Sequence, residues 1–239
     1  MTQLVLLPGF LCDRTVWKHQ IGALSSLAEI QCMEWEPQHD SILAMAEAVL
    51  RWAPERFVLA GHSMGGRVAF QVYRLAPERV TKLAVFNTGA DARPAGVAGE
   101  NEERGRRALL AIARSEGMRP MAMEWLKGMI PEYRQSDAEL VEEIVHMFEQ
   151  KTPDMFETQM LALLARPDAN PVLPQIHCPA LVLTGCDDAW SPPVRHQQIA
   201  SAIPGAELAL IPKCGHMSTM ERPEQVSEVM RRWLQKTTP

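Results

Sequence analysis

An α/β protein is what this sequence predicts: a mostly parallel sheet of about six strands, flanked by helices and broken once by a helical block before the penultimate strand. Three observations carry that reading. Short apolar runs alternate with longer amphipathic stretches along most of the chain. The apolar runs are bounded by Gly, Pro or polar residues, as strands buried on both faces of a parallel sheet are. From about residue 92 to residue 166 the alternation stops, and helical patterns follow one another with no convincing strand between them.

Taken in order, strands are expected at Gln3–Leu7, Ile30–Trp35, Arg56–Ala60, Lys82–Phe86, Ala180–Thr184 and Glu207–Ile211. Helices are expected at Trp17–Leu27, Ser41–Trp52, Met64–Leu75, Pro193–Ala202 and Glu224–Leu234, the second capped by Asp40 or Ser41. Such alternation builds right-handed βαβ units. Within the helical block, Leu109–Ala113, Met121–Met129, Leu140–Phe148 and Phe156–Leu164 recur near helical spacing, and Pro120, Pro131 and Pro153 each stand where a helix could begin. The chain thus divides into a core of residues 1–91 and 167–239 and an inserted cap of residues 92–166. That cap would cover the carboxyl edge of the sheet, where open α/β sheets bind ligands. Its methionines (Met118, Met121, Met123, Met129, Met147, Met155 and Met160) suit either gap-filling in a helical core or an adaptable apolar pocket wall.

At 239 residues the chain can bury a substantial interior, and its 46% hydrophobic and 22% charged content is that of a globular protein in water. The net charge is −5, and the nearest approach to a basic run, Arg104 to Arg107, follows Glu100, Glu102 and Glu103. Nucleic acid is therefore not an expected partner. Five cysteines with no CxxC pair suggest neither a zinc ribbon nor a disulfide framework, and reduced thiols in a cytoplasm are the simplest reading. No positively charged segment precedes Gln3–Leu7 as in a signal peptide, and no apolar run approaches the roughly 20 residues of a membrane span. The protein is expected to be a monomer or homodimer acting on a small molecule without metal or organic cofactor.

The chemistry sits at strand ends. Val58-Leu59-Ala60 runs into Gly61-His62-Ser63-Met64-Gly65-Gly66 and then into the helical Arg67-Val68-Ala69-Phe70. A serine at such a strand-to-helix turn sits on a strained elbow with its hydroxyl held above the sheet, and the glycines let the two backbones approach. Ser63 also lies at a helix N-terminus, where N–H groups favour negative charge; the N–H of Met64 is the natural donor to an oxyanion. A serine hydroxyl needs a base to take its proton. His216, on the loop Pro212-Lys213-Cys214-Gly215-His216 after the last strand, supplies one. The other six histidines lack that setting, apart from His62 inside the elbow. The imidazole needs an acid to orient it, and two adjacent candidates, Asp187 and Asp188, follow the strand Ala180–Thr184. A second oxyanion donor is expected from the loop Pro8-Gly9-Phe10-Leu11-Cys12 after the first strand, at the Phe10 N–H.

These residues resemble the α/β-hydrolase superfamily, small capped branch, along essentially the whole chain: Pro8-Gly9-Phe10 with Trp17, Gly61–Gly66, Gly185 to Asp188, and Gly215-His216 with Glu221-Arg222-Pro223. The resemblance implies an α/β-hydrolase fold and places the acid three residues after the strand-end glycine, at Asp188. It also supports Phe10, although many members carry His-Gly where this chain has Pro8-Gly9. The chain is similar to carboxylesterases, pimeloyl-ester esterases and enol-lactonases, so hydrolysis of a small-to-medium, partly apolar ester by Ser63, His216 and Asp188 is implied. Substrate would contact Phe10, Met64 and Trp190, with Trp125 and Phe156 as further lining residues. The menaquinone-pathway lyases offer an alternative. They place an arginine four residues after the serine, as Arg67 stands here, and would clamp an anionic substrate with Arg67 and a cap arginine such as Arg93. They commonly have tyrosine where this chain has His62. Dehalogenases and epoxide hydrolases use aspartate as nucleophile and fit less well. A non-catalytic ligand-binding protein on the same scaffold is the remaining alternative.

Overall fold

The computed structural model describes residues 1–236. Strand β1 (Thr2–Leu7) is followed by α1 (Lys18–Leu24), β2 (Ala28–Cys32), α2 (Ile42–Trp52), β3 (Phe57–His62), α3 (Met64–Leu75) and β4 (Val80–Phe86). Four helices come next: α4 (Val97–Ser115), α5 (Met118–Met129), α6 (Ala138–Glu149) and α7 (Pro153–Leu164). The chain then returns through β5 (Ala180–Gly185), α8 (Pro193–Ala202), β6 (Glu207–Ile211), the single turn α9 (Ser218–Glu221) and α10 (Pro223–Gln235). All six strands are parallel in the order β2-β1-β3-β4-β5-β6. Every strand therefore ends at the same edge, and the loops after β1, β3, β4, β5 and β6 meet there.

Local chemistry explains the boundaries. Ser41, not Asp40, caps α2, its side chain accepting from the Ala44 N–H. Thr152 caps α7 by accepting from Met155, with Pro153 at the first helical position. Pro120 lies inside the first turn of α5, and Pro131 precedes a short 3-10 turn. The central strands β3 and β5 are buried throughout. The expectation that all six strands are buried on both faces fails at the edges: in β2 only Ala28 is buried, and in β6 Leu208 and Leu210 stay 39% and 38% exposed. An edge strand has a neighbour on one side only, so its cover is incomplete.

The helices between β4 and β5 touch the site edge at several points. Gln159 on α7 accepts from the Leu11 N–H at 2.7 Å. Phe10 packs edge-on against Trp125 and Phe156, with ring centroids 5.1 and 5.0 Å away. The His216 N–H donates to the Met129 carbonyl at 2.9 Å. Met118, Met121, Met129, Met147 and Met160 are buried, so most of the seven methionines fill a helical core.

Candidate active site

Ser63 sits between β3 and α3 with φ 52° and ψ −114°. A non-glycine residue held there is strained, and it persists only when its surroundings fix it. They do. The Ser63 N–H donates to Phe86 O at 2.8 Å, and the Ser63 carbonyl accepts from Thr88 Oγ1 at 2.7 Å and the Gly66 N–H at 3.0 Å. Gly65 is required because a Cβ there would run into the Leu7 and Pro8 carbonyls. Among the described residues three other non-glycine residues have positive φ, Leu11, Asn87 and Lys213, each beyond a strand's carboxyl end.

The hydroxyl does not stand alone. His216 Nε2 lies 3.0 Å from Ser63 Oγ, and Nδ1 lies 3.0 and 3.1 Å from the two carboxylate oxygens of Asp188. A carboxylate beside Nδ1 selects the tautomer with its proton there, which leaves the Nε2 lone pair to accept from the serine. Asp188 is 2% exposed and also accepts from the Trp190 and Ser191 N–H groups, from Asn87 Nδ2 and from Thr184 Oγ1. Burial opposes its charge, but His216 and these hydrogen bonds outweigh burial and hold the carboxyl well below the usual carboxylate range. Asp187 points elsewhere: it is exposed and accepts from Tyr133 at 2.5 Å.

Three residues given no role by the sequence reading hold this arrangement. Asn87, at φ 49° after β4, donates to Asp188 and to the Gly215 carbonyl, and accepts from Ser218 Oγ. Glu221, 2% exposed, accepts from the Gly215 and Met217 N–H groups on either side of His216. Burial pushes its carboxyl up to about 6 even though both N–H groups favour the anion. His62 Nε2 lies 2.9 Å from the His216 carbonyl and donates to it. Burial, helped by nearby His216, lowers His62 to about 3, so it is a neutral strut. The sequence signals were an asparagine at a strand end, where left-handed backbone is tolerated, and an acidic residue five positions after His216.

Among the described residues the backbone N–H groups of Phe10 and Met64 have no hydrogen-bond acceptor, whereas the neighbouring Leu11 N–H is taken by Gln159. Both residues line a cavity of about 520 Å³ that also contains Ser63, His216, Trp125 and Trp190. Trp190 stacks on Trp125 at 5.4 Å, and its ring lies 5.0 Å from the His216 ring. Arg67, expected near substrate, lines the cavity too. Two expectations are corrected. Phe156 is fully buried and is not part of the cavity wall; it packs edge-on against Phe10, which is. Arg93 is not in the wall either: it pairs with Glu103 at 2.9 Å. Of the methionines between β4 and β5, only Met129 reaches the cavity, among the described residues.

The Alpha/beta hydrolase family, as a sequence profile, matches residues 4–229. The chain belongs to the α/β-hydrolase family. A thermophilic esterase from Thermogutta terrifontis, solved malate bound, superposes on this α/β-hydrolase with a TM-score of 0.82 at 30% identity, covering 98% of this chain and 89% of that one. The (E)-2-((N-methylformamido)methylene)succinate hydrolase of Acinetobacter baylyi is 28% identical, over 99% of this chain and 91% of its own length. The dihydrolipoyllysine-residue acetyltransferase component of the acetoin cleaving system of Pseudomonas putida is 29% identical over 98% of this chain. This chain spans only 64% of that relative's length. No helix among the described residues is long and apolar enough to cross a membrane.

Proposed function

We propose that this α/β-hydrolase cleaves a small-to-medium, partly apolar carboxylic ester, or the related lactone or thioester, through an acyl-enzyme on Ser63. The observation that carries the reading is the unbroken hydrogen-bonded line from Asp188 through His216 to Ser63, ending in the cavity. In the first half-reaction Ser63 Oγ attacks the acyl carbon while His216 Nε2 takes its proton. Negative charge develops on the carbonyl oxygen, where the free N–H groups of Phe10 and Met64 would receive it. Collapse breaks the C–O bond, and His216 returns the proton to the leaving oxygen. Water then repeats the sequence on the acyl-enzyme and releases the acid. Asp188 keeps the imidazole in the required tautomer and stabilises its cation. Residues 92–166 act as the cap that sets which acyl groups enter.

The esterase named among the relatives supports ester chemistry, and the succinate-derived substrate named for the Acinetobacter relative supports an acid-bearing substrate. A second reading, elimination from an anionic substrate by the same three residues, draws on Arg67 in the cavity wall. Brisk turnover of neutral p-nitrophenyl esters would count against it. The test of the main proposal is a fluorophosphonate probe, which should label the folded protein at Ser63 and leave Ser63→Ala unlabelled. Equal labelling of both proteins, or of neither, removes the assignment.

A further inference from the structure

Charge in the cavity wall is lopsided. Arg67, Arg106, Arg166 and Arg195 face it, against one carboxylate, Glu102. Glu102 is already engaged, gripped by both guanidinium nitrogens of Arg166 at 2.7 and 2.8 Å and by Arg106 at 3.2 Å. Arg106 leans its guanidinium over the Phe10 ring, 5.7 Å from the centroid. That leaves Arg67 and Arg195. Among the described residues, each makes side-chain hydrogen bonds to a backbone carbonyl only, Arg67 to Asp91 at 2.8 Å and Arg195 to Trp190 at 3.3 Å.

The two lie side by side. Gly89 sits between them, and a Cβ there would stand 2.9 Å from Arg67 Nη2 and 3.0 Å from Arg195 Cδ. Burial, reinforced by Arg166 and Arg195, pulls Arg67 down to about 9, which leaves it a cation at neutral pH. Two neighbouring guanidinium groups, half out of water and lacking a carboxylate, carry an uncompensated cost. Several of their N–H donors remain unused, and the planar fork they offer is the one that matches a carboxylate. Arg67 is one helical turn beyond Ser63, so both face the same side of the first turn of α3.

We infer that Arg67 and Arg195 form a carboxylate-binding subsite, which makes the preferred substrate an ester whose acyl part carries a second, free carboxylate. The inference rests on the ester-hydrolase reading for the reaction, but not for the binding. Arg166 and Arg106 are neutralised in part by Glu102 and keep the wall from being wholly cationic. The aromatic side chains Phe10, Trp125 and Trp190 in the same wall would hold the apolar part of the substrate.

Two measurements test it. In the first, kcat/KM is compared for the monomethyl and dimethyl esters of glutarate. Wild type should favour the charged monoester by about tenfold or more, and Arg67→Met and Arg195→Met should each reduce that preference about tenfold, mainly through KM. Arg67→Lys, which keeps the charge but loses the fork, should fall in between. In the second, glutarate is titrated calorimetrically into Ser63→Ala protein, where no chemistry occurs. It should bind, and adding Arg67→Met should weaken binding about tenfold or more. If wild type turns over both esters without preference, or if the arginine variants keep the preference or the glutarate affinity, the subsite is wrong while the hydrolase reading stands. If glutarate binds as expected but neither ester is cleaved and Ser63 is not labelled, the hydrolase reading is wrong while the subsite stands.

Discussion

At the scale of single residues, the site is a set of charges and protons each held by more than one partner. Asp188 collects donors from three strand-end loops, so its removal should do more than subtract one hydrogen bond. Asp188→Asn presents an amide to His216 Nδ1 and favours the wrong tautomer, and kcat should fall by about 10³–10⁴-fold. Asp187→Asn, which loses only the contact with Tyr133, should change kcat by less than about threefold; steady-state kinetics on one ester compares the two. Asn87→Ala removes a donor to Asp188 and an acceptor for Ser218 while keeping a side chain at positive φ. It should cost about 2 kcal/mol of stability in a urea titration and lower kcat without a matching change in KM. Ser63 and His216 were legible in the sequence because each belongs to a short local pattern. Residue types alone left Asp187 and Asp188 level, and the family's spacing chose between them. Asn87 was missed because its partners lie on loops far apart in the chain, and Glu221 was seen in the sequence but not its grip on the Gly215 and Met217 N–H groups.

At the scale of elements, the elbow depends on how closely α3 approaches β1. Gly65 faces the Leu7 and Pro8 carbonyls, which are backbone atoms and cannot swing aside. Gly65→Ala should therefore destabilise the protein by about 3 kcal/mol or more, at the upper end of overpacking costs, seen as a lower urea midpoint with an unchanged slope. The position of β1, β3, β4, β5 and β6 and of α3 and α8 was legible to within about two residues because each matched a period and a boundary residue, whereas the edge strand β2 lies at Ala28–Cys32 and not at the expected Ile30–Trp35. The helices between β4 and β5 were legible as helices, but not which faces meet the cavity. That is why Phe156 on α7 was expected there and Arg106 on α4 was not. A helix that is apolar on more than one side gives no signal as to which side meets ligand.

At the scale of the whole molecule, buried histidines couple the fold to pH. His62 and His196 are lowered by burial from 6.5 to about 3 and about 4. Between those values and 6.5 the unfolded chain binds more protons than the folded one, so stability is lost as pH falls through that window. Glu221 works the other way: raised from 4.5 to about 6, it adds stability as pH falls from 6 to 4.5, over a narrower span. Two histidines outweigh one carboxyl, and the melting temperature should drop between pH 6.5 and pH 4. His62→Gln, which keeps an amide donor within reach of the His216 carbonyl but cannot titrate, should flatten that decline by up to about 1.4 kcal/mol per pH unit. An unchanged slope in the variant would show that His62 does not carry it.

The sequence by itself determined the α/β class, the order of strands and helices, the elbow at Ser63, the histidine His216 on the loop after the last strand, and the two carboxylates Asp187 and Asp188 after β5. Those are properties of neighbours along the chain: hydrophobic period, glycine at a tight turn, a polar residue at a strand end. Only the tertiary structure set Asp188 against His216, tied Asn87, Glu221 and His62 around them, and gathered Arg67 and Arg195 over Gly89. Those residues come from segments as much as 154 positions apart, as His62 and His216 are. No local pattern can encode a hydrogen bond whose partners meet only after the sheet has been assembled.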